Sequence, residues 1–243
     1  GIYNHESFSQ YDNASSDEYY DFTAETAKIL IVDDNSINLT VAQGLLEPLN
    51  MQIDTALSGN EAINKISDTM YDLILMDHMM PEIDGIETTH IIRRFHSEYD
   101  NVPIIALTAN VIGNVKKMFI QEGMNDFVAK PIEVRMLINA IRRWLPKEKI
   151  KKHTGSIRPI LAKKTVTLPD IPALNMKEAL KLLGSEELFM TILADYYHVI
   201  PKKLKLIETY RDKKDWYNYT IEVHALKSAS RQIGADDLSE KAA

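Results

Sequence analysis

Between Lys28 and about Leu145, short unbroken apolar runs recur, each closed by a polar residue. Ile29-Leu30-Ile31-Val32 precedes Asp33 and Asp34, and Leu73-Ile74-Leu75-Met76 precedes Asp77. Ile104-Ile105-Ala106-Leu107 precedes Thr108, and Phe127-Val128-Ala129 precedes Lys130. Runs of this length without polar alternation read as strands buried on both faces. Segments with helical spacing lie between them. The first carries Ile37, Val41 and Leu45 on one face, with Ser36 as N-cap and Pro48 at its end. The others span about Gly59–Ile66, Gly85–His96, Val111–Glu122 (ended by Gly123) and Ile132–Trp144. With these four runs among its strands, the chain alternates strand and helix five times, which predicts an α/β domain with a doubly wound, five-stranded parallel sheet over 27–146.

The pattern then changes. Residues 147–170 hold seven Lys or Arg, one Glu, Pro159 and Pro169, with no helical period; this reads as a basic interdomain linker. From Ile171 onward the reading is wholly helical, with helices over about Asn175–Leu183, Glu186–Tyr210 and Lys214–Ile233 and another starting near Asp236. Antiparallel helices with short connections predict an all-α, partial four-helix bundle over 171–243, incomplete at its C-terminal end. Residues 1–26 are acidic and tyrosine-rich, with no Lys or Arg before Lys28, and read as a flexible acidic linker or, alternatively, a docking segment.

Composition narrows the function classes. Net charge of −7 disfavours nucleic acid as the main partner. Without cysteine there is neither a disulfide framework nor a thiolate metal site. The uncharged stretch Val102–Val115 is too short to span a bilayer, and no signal-peptide pattern opens the chain. A cytoplasmic, soluble portion of a possibly membrane-anchored protein is the expectation, with no membrane contact by this part.

In an open parallel sheet the carboxyl ends of the strands converge on one crevice. Asp33, Asp34, Asp77, Thr108 and Lys130 all fall at such ends. Three carboxylates, a hydroxyl and an ammonium on one rim suit a hard cation and a phosphoryl group. Each alone has a plainer explanation: an N-cap carboxylate or a lone strand-end Asp. Their joint spacing is what argues for function.

On Val32-Asp33-Asp34-Asn35, Met76-Asp77-His78-Met79-Met80-Pro81-Glu82-Ile83-Asp84-Gly85, Ala106-Leu107-Thr108-Ala109 and Phe127-Val128-Ala129-Lys130-Pro131, residues 28–145 closely resemble the receiver domains of two-component signalling. The resemblance implies a flavodoxin-like fold with Asp77 as phosphoacceptor. It implies Mg2+ held by Asp33, Asp34, Asp77 and the backbone carbonyl of Met79. Lys130 and Thr108 would stabilise the phosphoryl oxygens, with Thr108 swinging toward them and Phe127 repacking inward. His78 is expected to be a rim side chain.

On a helical wheel, Tyr219, Val223, Leu226 and Ile233 share one face and His224 lies opposite, flanked by Lys227, Ser228 and Arg231. From the wheel alone His224 is an exposed surface histidine. The segment from Ile171 also resembles histidine-containing phosphotransfer domains, on His224-Ala225-Leu226-Lys227-Ser228, Ile233-Gly234-Ala235, Leu238-Ser239, Ala179-Leu180, Leu183-Gly184 and Glu186-Glu187-Leu188. Ser228 stands where glycine is frequent in that family. The two resemblances together imply the C-terminal part of a hybrid sensor histidine kinase. The phosphoryl group would pass from a kinase phosphohistidine to Asp77, then to His224, then to a downstream response regulator receiver. The implied partners are therefore a histidine kinase core, in cis or in trans, and that regulator.

No Walker-type loop or glycine-rich nucleotide lid is present, so an ATP-binding kinase core is not expected in this chain. An aspartyl phosphatase on a similar sheet would want a general acid two residues past the nucleophile, and Met79 stands there. A phosphorylation-independent interaction module with the same fold is the remaining alternative, though all five crevice residues are retained.

Overall fold

The computed structural model describes residues 20–109, 115–152, 168 and 171–242. In chain order the strands are β1 (Phe22–Thr23), β2 (Lys28–Val32), β3 (Gln52–Ala56), β4 (Leu73–Asp77), β5 (Ile104–Thr108), β6 (Asp126–Ala129) and β7 (Lys151–Lys152). The helices are α1 (Ser36–Leu46), α2 (Gly59–Asp68), α3 (Gly85–Phe95), α4 (Val115–Gln121), α5 (Val134–Trp144), α6 (Met176–Leu183), α7 (Glu186–Asp212), α8 (Trp216–Gln232) and α9 (Asp236–Lys241).

Five parallel strands form the sheet in the order β3-β2-β4-β5-β6. β4 and β5 are buried along their whole length, as the unbroken apolar runs require once helices cover both faces. One core cluster fills the α1 and α5 side of the sheet, from Ile29 and Ile31 through Leu45, Leu75, Leu107 and Ile138. The second, with Leu30, Ile74, Ile92, Ala106 and Phe119, fills the opposite side.

Local chemistry sets the helix boundaries. Asn35, not Ser36, caps α1: its side-chain oxygen accepts the Ile37 N–H, and its extended backbone ends the strand connection. Ser58 caps α2, and Glu61 reaches back to the Leu57 N–H. Asp84 caps α3. α5 begins at Val134 rather than Ile132, because Glu133 keeps extended backbone. The fourth predicted helix is seen from Val115 on; 111–114 lie outside the described residues.

After the sheet the chain is helical, and its longest helix, α7, runs through Pro201. The apolar side of α6, α7 and α8 joins the first core cluster through Ala179, Leu183, Phe189, Ile192, Ala229 and Ile233. The helical part thus lies on the α1 side of the sheet, with α7 packed along α1. Among the described residues no helix is long and apolar enough to cross a membrane.

The expected acidic and basic linkers are partly built into the fold. β1 pairs antiparallel with β7, matching Phe22 to Lys152 and Thr23 to Lys151. Phe22 is buried beneath the Arg142 guanidinium, and the Tyr20 hydroxyl donates to the Leu45 carbonyl. Asp21 pairs with Arg142, and Glu25 with Lys151 at 3.5 Å. The acidic run before the sheet thus meets the basic run after it. Residues 1–19, 153–167 and 169–170 of the two expected linkers lie outside the described residues.

Candidate functional site

The sheet reverses its winding between β2 and β4, so a crevice opens where their carboxyl ends diverge. Asp33 and Asp34 follow β2, Asp77 ends β4, Thr108 ends β5, and Lys130 follows β6. The structure brings the predicted residues together. One oxygen each of Asp33, Asp34 and Asp77 lies within 4.8 Å of the others. Lys130 Nζ sits 2.7 Å from Asp33 Oδ2 and 2.7 Å from Asp77 Oδ1. Thr108 is buried at the end of the neighbouring strand, and its carbonyl accepts the Lys130 N–H at 2.7 Å. The Met79 N–H donates to Asp77 Oδ1 at 3.4 Å, placing Met79 on the loop that wraps the carboxylate.

The backbone is arranged for this. Asp33 Oδ1 accepts from the Asn35 N–H at 2.9 Å and from Asn38 Nδ2 at 3.0 Å, which fixes its plane. Asp33 Oδ2 is buried, and its one polar partner is the Lys130 ammonium at 2.7 Å. Gly85 packs so tightly under the strand end that a Cβ there would overlap the Asp77 carbonyl oxygen. His78 packs edge-on against Phe119, and Phe127 lies beyond Phe119 with ring centroids 6.5 Å apart. His78 is thus a half-buried rim residue.

Crowding of like charge sets the electrostatics. Burial, then the charge of Asp33, pushes the Asp77 carboxyl well above the usual range. Burial and Asp33 likewise push Asp34 up to about 7. Burial alone would lower the Lys130 ammonium, but Asp33 and Asp77 more than reverse it, so Lys130 is held charged. Three carboxylates, each with an oxygen this close to the others, are the donor set of a hard divalent cation, and Mg2+ fits it.

The helical part contributes to the same crevice. His224 was expected on an open surface; it is half-buried, because its side of α8 packs on the sheet domain. Asn35 Nδ2 donates to the Ala225 carbonyl at 3.3 Å, and Gln232 Nε2 to the Ile132 carbonyl at 3.3 Å. Residues 224, 225, 228 and 232 form one stripe of the helix, and Ala225, Ser228 and Gln232 are buried. Tyr219 and Val223, on the face opposite His224, are half-buried. Burial, then the Lys130 and Lys227 charges, then His78 lower the pKa of His224, against an opposing pull from Asp33. The imidazole thus feels the crevice lysine.

Four contributors escaped the sequence reading: Asn38, the bridging amide of Asn35, and the Lys203–Glu222 ion pair at 2.8 Å. That pair is largely buried, and its charges reach Asp34. Asn35 and Asn38 sit within five residues of the acid pair, which was a usable signal. A lysine in the middle of a 27-residue helix was not.

A family model described as the response regulator receiver domain matches residues 29–142. Sensor histidine kinase GacS of Pseudomonas protegens is 31% identical over 230 residues, 93% of this chain and 24% of that protein. The aerobic respiration control sensor protein ArcB of Escherichia coli is 27% identical over 220 residues, 90% of this chain and 28% of that protein. The chain therefore spans about a quarter of the length of these relatives. Among solved structures, the chemotaxis response regulator CheY4 of Vibrio cholerae is 30% identical, covering 49% of this chain and 99% of that one, with a TM-score of 0.46.

Proposed function

Residues 29–142 form a response regulator receiver domain, a module of phosphorelay signalling, and from that premise we propose that the chain carries two successive phosphoryl acceptors, Asp77 and His224. Residues 171–243 act as the histidine-containing phosphotransfer unit, a partial four-helix bundle. The observation that carries this reading is α8 laid over the crevice, with Ala225, beside His224, bonded to Asn35 of the receiver.

In the first step an Asp77 carboxylate oxygen attacks the phosphorus of a kinase phosphohistidine. The N–P bond breaks as the O–P bond forms, and the imidazole of the donor leaves. Lys130, held charged beside Asp77, lies where an oxygen of the incoming group gains an ion pair, and Thr108 offers a hydroxyl. Asp33, Asp34, Asp77 and the Met79 carbonyl would hold Mg2+, which when bound neutralises phosphoryl charge. In the second step a ring nitrogen of neutral His224 attacks the acyl phosphate. The O–P bond breaks, Asp77 leaves as carboxylate, and the imidazole proton is lost to solvent. A lowered His224 pKa keeps that nitrogen unprotonated near neutral pH. A downstream receiver would take the group from His224. A histidine kinase core is the upstream donor, in a hybrid sensor kinase of which this chain would be a part.

The test is phosphorylation by acetyl phosphate, with Mg2+ or with chelator, in wild type, Asp77→Asn and His224→Gln. An Mg2+-dependent, alkali-labile adduct should vanish in Asp77→Asn. An acid-labile, alkali-stable adduct should vanish in both variants. Absence of any adduct at Asp77 would leave a phosphorylation-independent interaction module.

A further inference from the structure

Gly44 lies in the last turn of α1 with right-handed helical backbone, so no cap or positive φ calls for glycine there. Glycine in a helix costs up to about 1 kcal/mol relative to alanine. What occupies the missing Cβ's place is Leu188 of α7. A Cβ on Gly44 would overlap Leu188 Cδ1, lie 3.0 Å from Cδ2 and 3.2 Å from Cγ. The Leu188 backbone is fixed at the start of α7, where its N–H donates to Ser185 Oγ at 3.2 Å.

One helical turn before Gly44, Thr40 Oγ1 donates to Asp195 Oδ2 at 3.0 Å. Gly44 faces Leu188 while Thr40 faces Asp195, so α1 and α7 run antiparallel in a single register. At the far end of α1, Asn35 holds Ala225 beside His224. The notch at Gly44 and the crevice are thus about 13 Å apart along one rigid helix. Sliding α7 by a turn would move His224 off the crevice by about 5 Å, beyond the reach of a transferring phosphoryl group.

We propose that Gly44 is a specificity and positioning residue of the relay: its open notch admits Leu188 and thereby registers this chain's own helical segment so that His224 meets Asp77. The inference rests on the two-acceptor reading above. Gly44 touches neither phosphoryl group nor metal; it acts through Leu188 and α7. Its partner is the helical segment of the same chain, chosen by the fit of a γ-branched side chain into a notch without a Cβ.

The experiment uses the whole chain, charged with acetyl phosphate and Mg2+, with acyl phosphate and phosphohistidine quantified over time. Gly44→Gln should load Asp77 at the wild-type rate but form phosphohistidine at least about tenfold more slowly, the scale expected for overpacking a fitted contact. Gly44→Ala should slow the second step less, since the Leu188 Cδ1 methyl, at the end of its side chain, can turn aside from one added methyl more readily than from a glutamine side chain. Adding Leu188→Ala to Gly44→Gln should restore much of the lost rate, a coupling that simple destabilisation would not give. Phosphohistidine at the wild-type rate in Gly44→Gln, or loss of Asp77 loading in it, would overturn the inference. So would transfer at the wild-type rate in a mixture of Asp77→Asn and His224→Gln chains, which would make a second copy the acceptor. Wild type that loads Asp77 and never His224 would instead overturn the two-acceptor reading itself.

Discussion

Asn35 Nδ2 donates to the Ala225 carbonyl at 3.3 Å, so one side chain ties the start of α1 to the residue beside His224. The same amide's oxygen caps α1 through the Ile37 N–H at 3.1 Å. The two roles are separable. Asn35→Ser keeps a capping oxygen and should leave receiver stability within about 0.5 kcal/mol, whereas Asn35→Ala should lose about 1 kcal/mol. Both should slow phosphohistidine formation, because neither reaches Ala225. Chemical denaturation and acyl-phosphate decay, measured side by side, check this. Undiminished transfer in Asn35→Ser would mean that the bridge does not position His224.

Lys130 is the cation among three carboxylates, and Lys130→Met should leave Asp33 and Asp77 facing each other uncompensated. Removing one partner of a buried ion pair costs about 3–5 kcal/mol. The expected outcome in chelator is a sharply lowered unfolding midpoint, partly recovered when Mg2+ is added. Asp77 loading should fall with or without the ion, since the ammonium also serves the phosphoryl oxygens. A midpoint unchanged in chelator would contradict the 2.7 Å geometry of the crevice.

The backbone under Asp77 sets a separate test. In Gly85→Ala the new methyl meets the Asp77 carbonyl oxygen, which belongs to a buried central strand and cannot move aside. A loss of about 2 kcal/mol or more is expected. Acyl-phosphate formation should fall with it, because the displaced strand end carries the acceptor. Thermal unfolding with and without Mg2+ reads the first effect, and adduct yield the second.

The histidine gives a pH dependence with a defined sign. Docking lowers the pKa of His224, first through burial and then through the Lys130 charge and His78, against Asp33, while Lys227, on the same helix, lowers it docked or undocked. A group that is harder to protonate in the docked state favours docking at pH values above its undocked pKa. That contribution is lost as pH falls from the ordinary histidine range, about 6.5, toward the docked value. Mg2+ in the crevice would act in the same direction. The rate of transfer to His224 should therefore inflect below about 6.5 in the intact chain, and nearer that value in Gly44→Gln. A common inflection in both would sever the link between docking and titration.

Much of this was legible along the chain. Unbroken apolar runs closed by Asp33, Asp77, Thr108 and Lys130 announced parallel strands whose ends share one crevice, because period and burial are properties of consecutive residues. The cap of α1 shifted by one position, to Asn35, since both Asn35 and Ser36 can cap and only the path of the chain out of β2 decides between them. The burial of His224 is hidden in the sequence for a related reason. A helical wheel sorts residues into two faces and assumes that one meets water, whereas α8 is covered on the His224 side by the receiver. Gly44 and Lys203 gave no local signal, because what occupies their surroundings comes from Leu188 and Glu222, far away in sequence.

The short antiparallel pairing of β1 with β7 has a mechanical meaning. Because Phe22 meets Lys152 and Thr23 meets Lys151, the chain enters and leaves the receiver side by side, as thread does at the neck of a drawstring bag. Tension pulled along the polypeptide would peel this two-residue seam open one rung at a time, before any strand of the central sheet was loaded. The same neck makes the receiver a cassette: its ends are already adjacent, so it can be spliced into a surface loop of another protein without stretching its host.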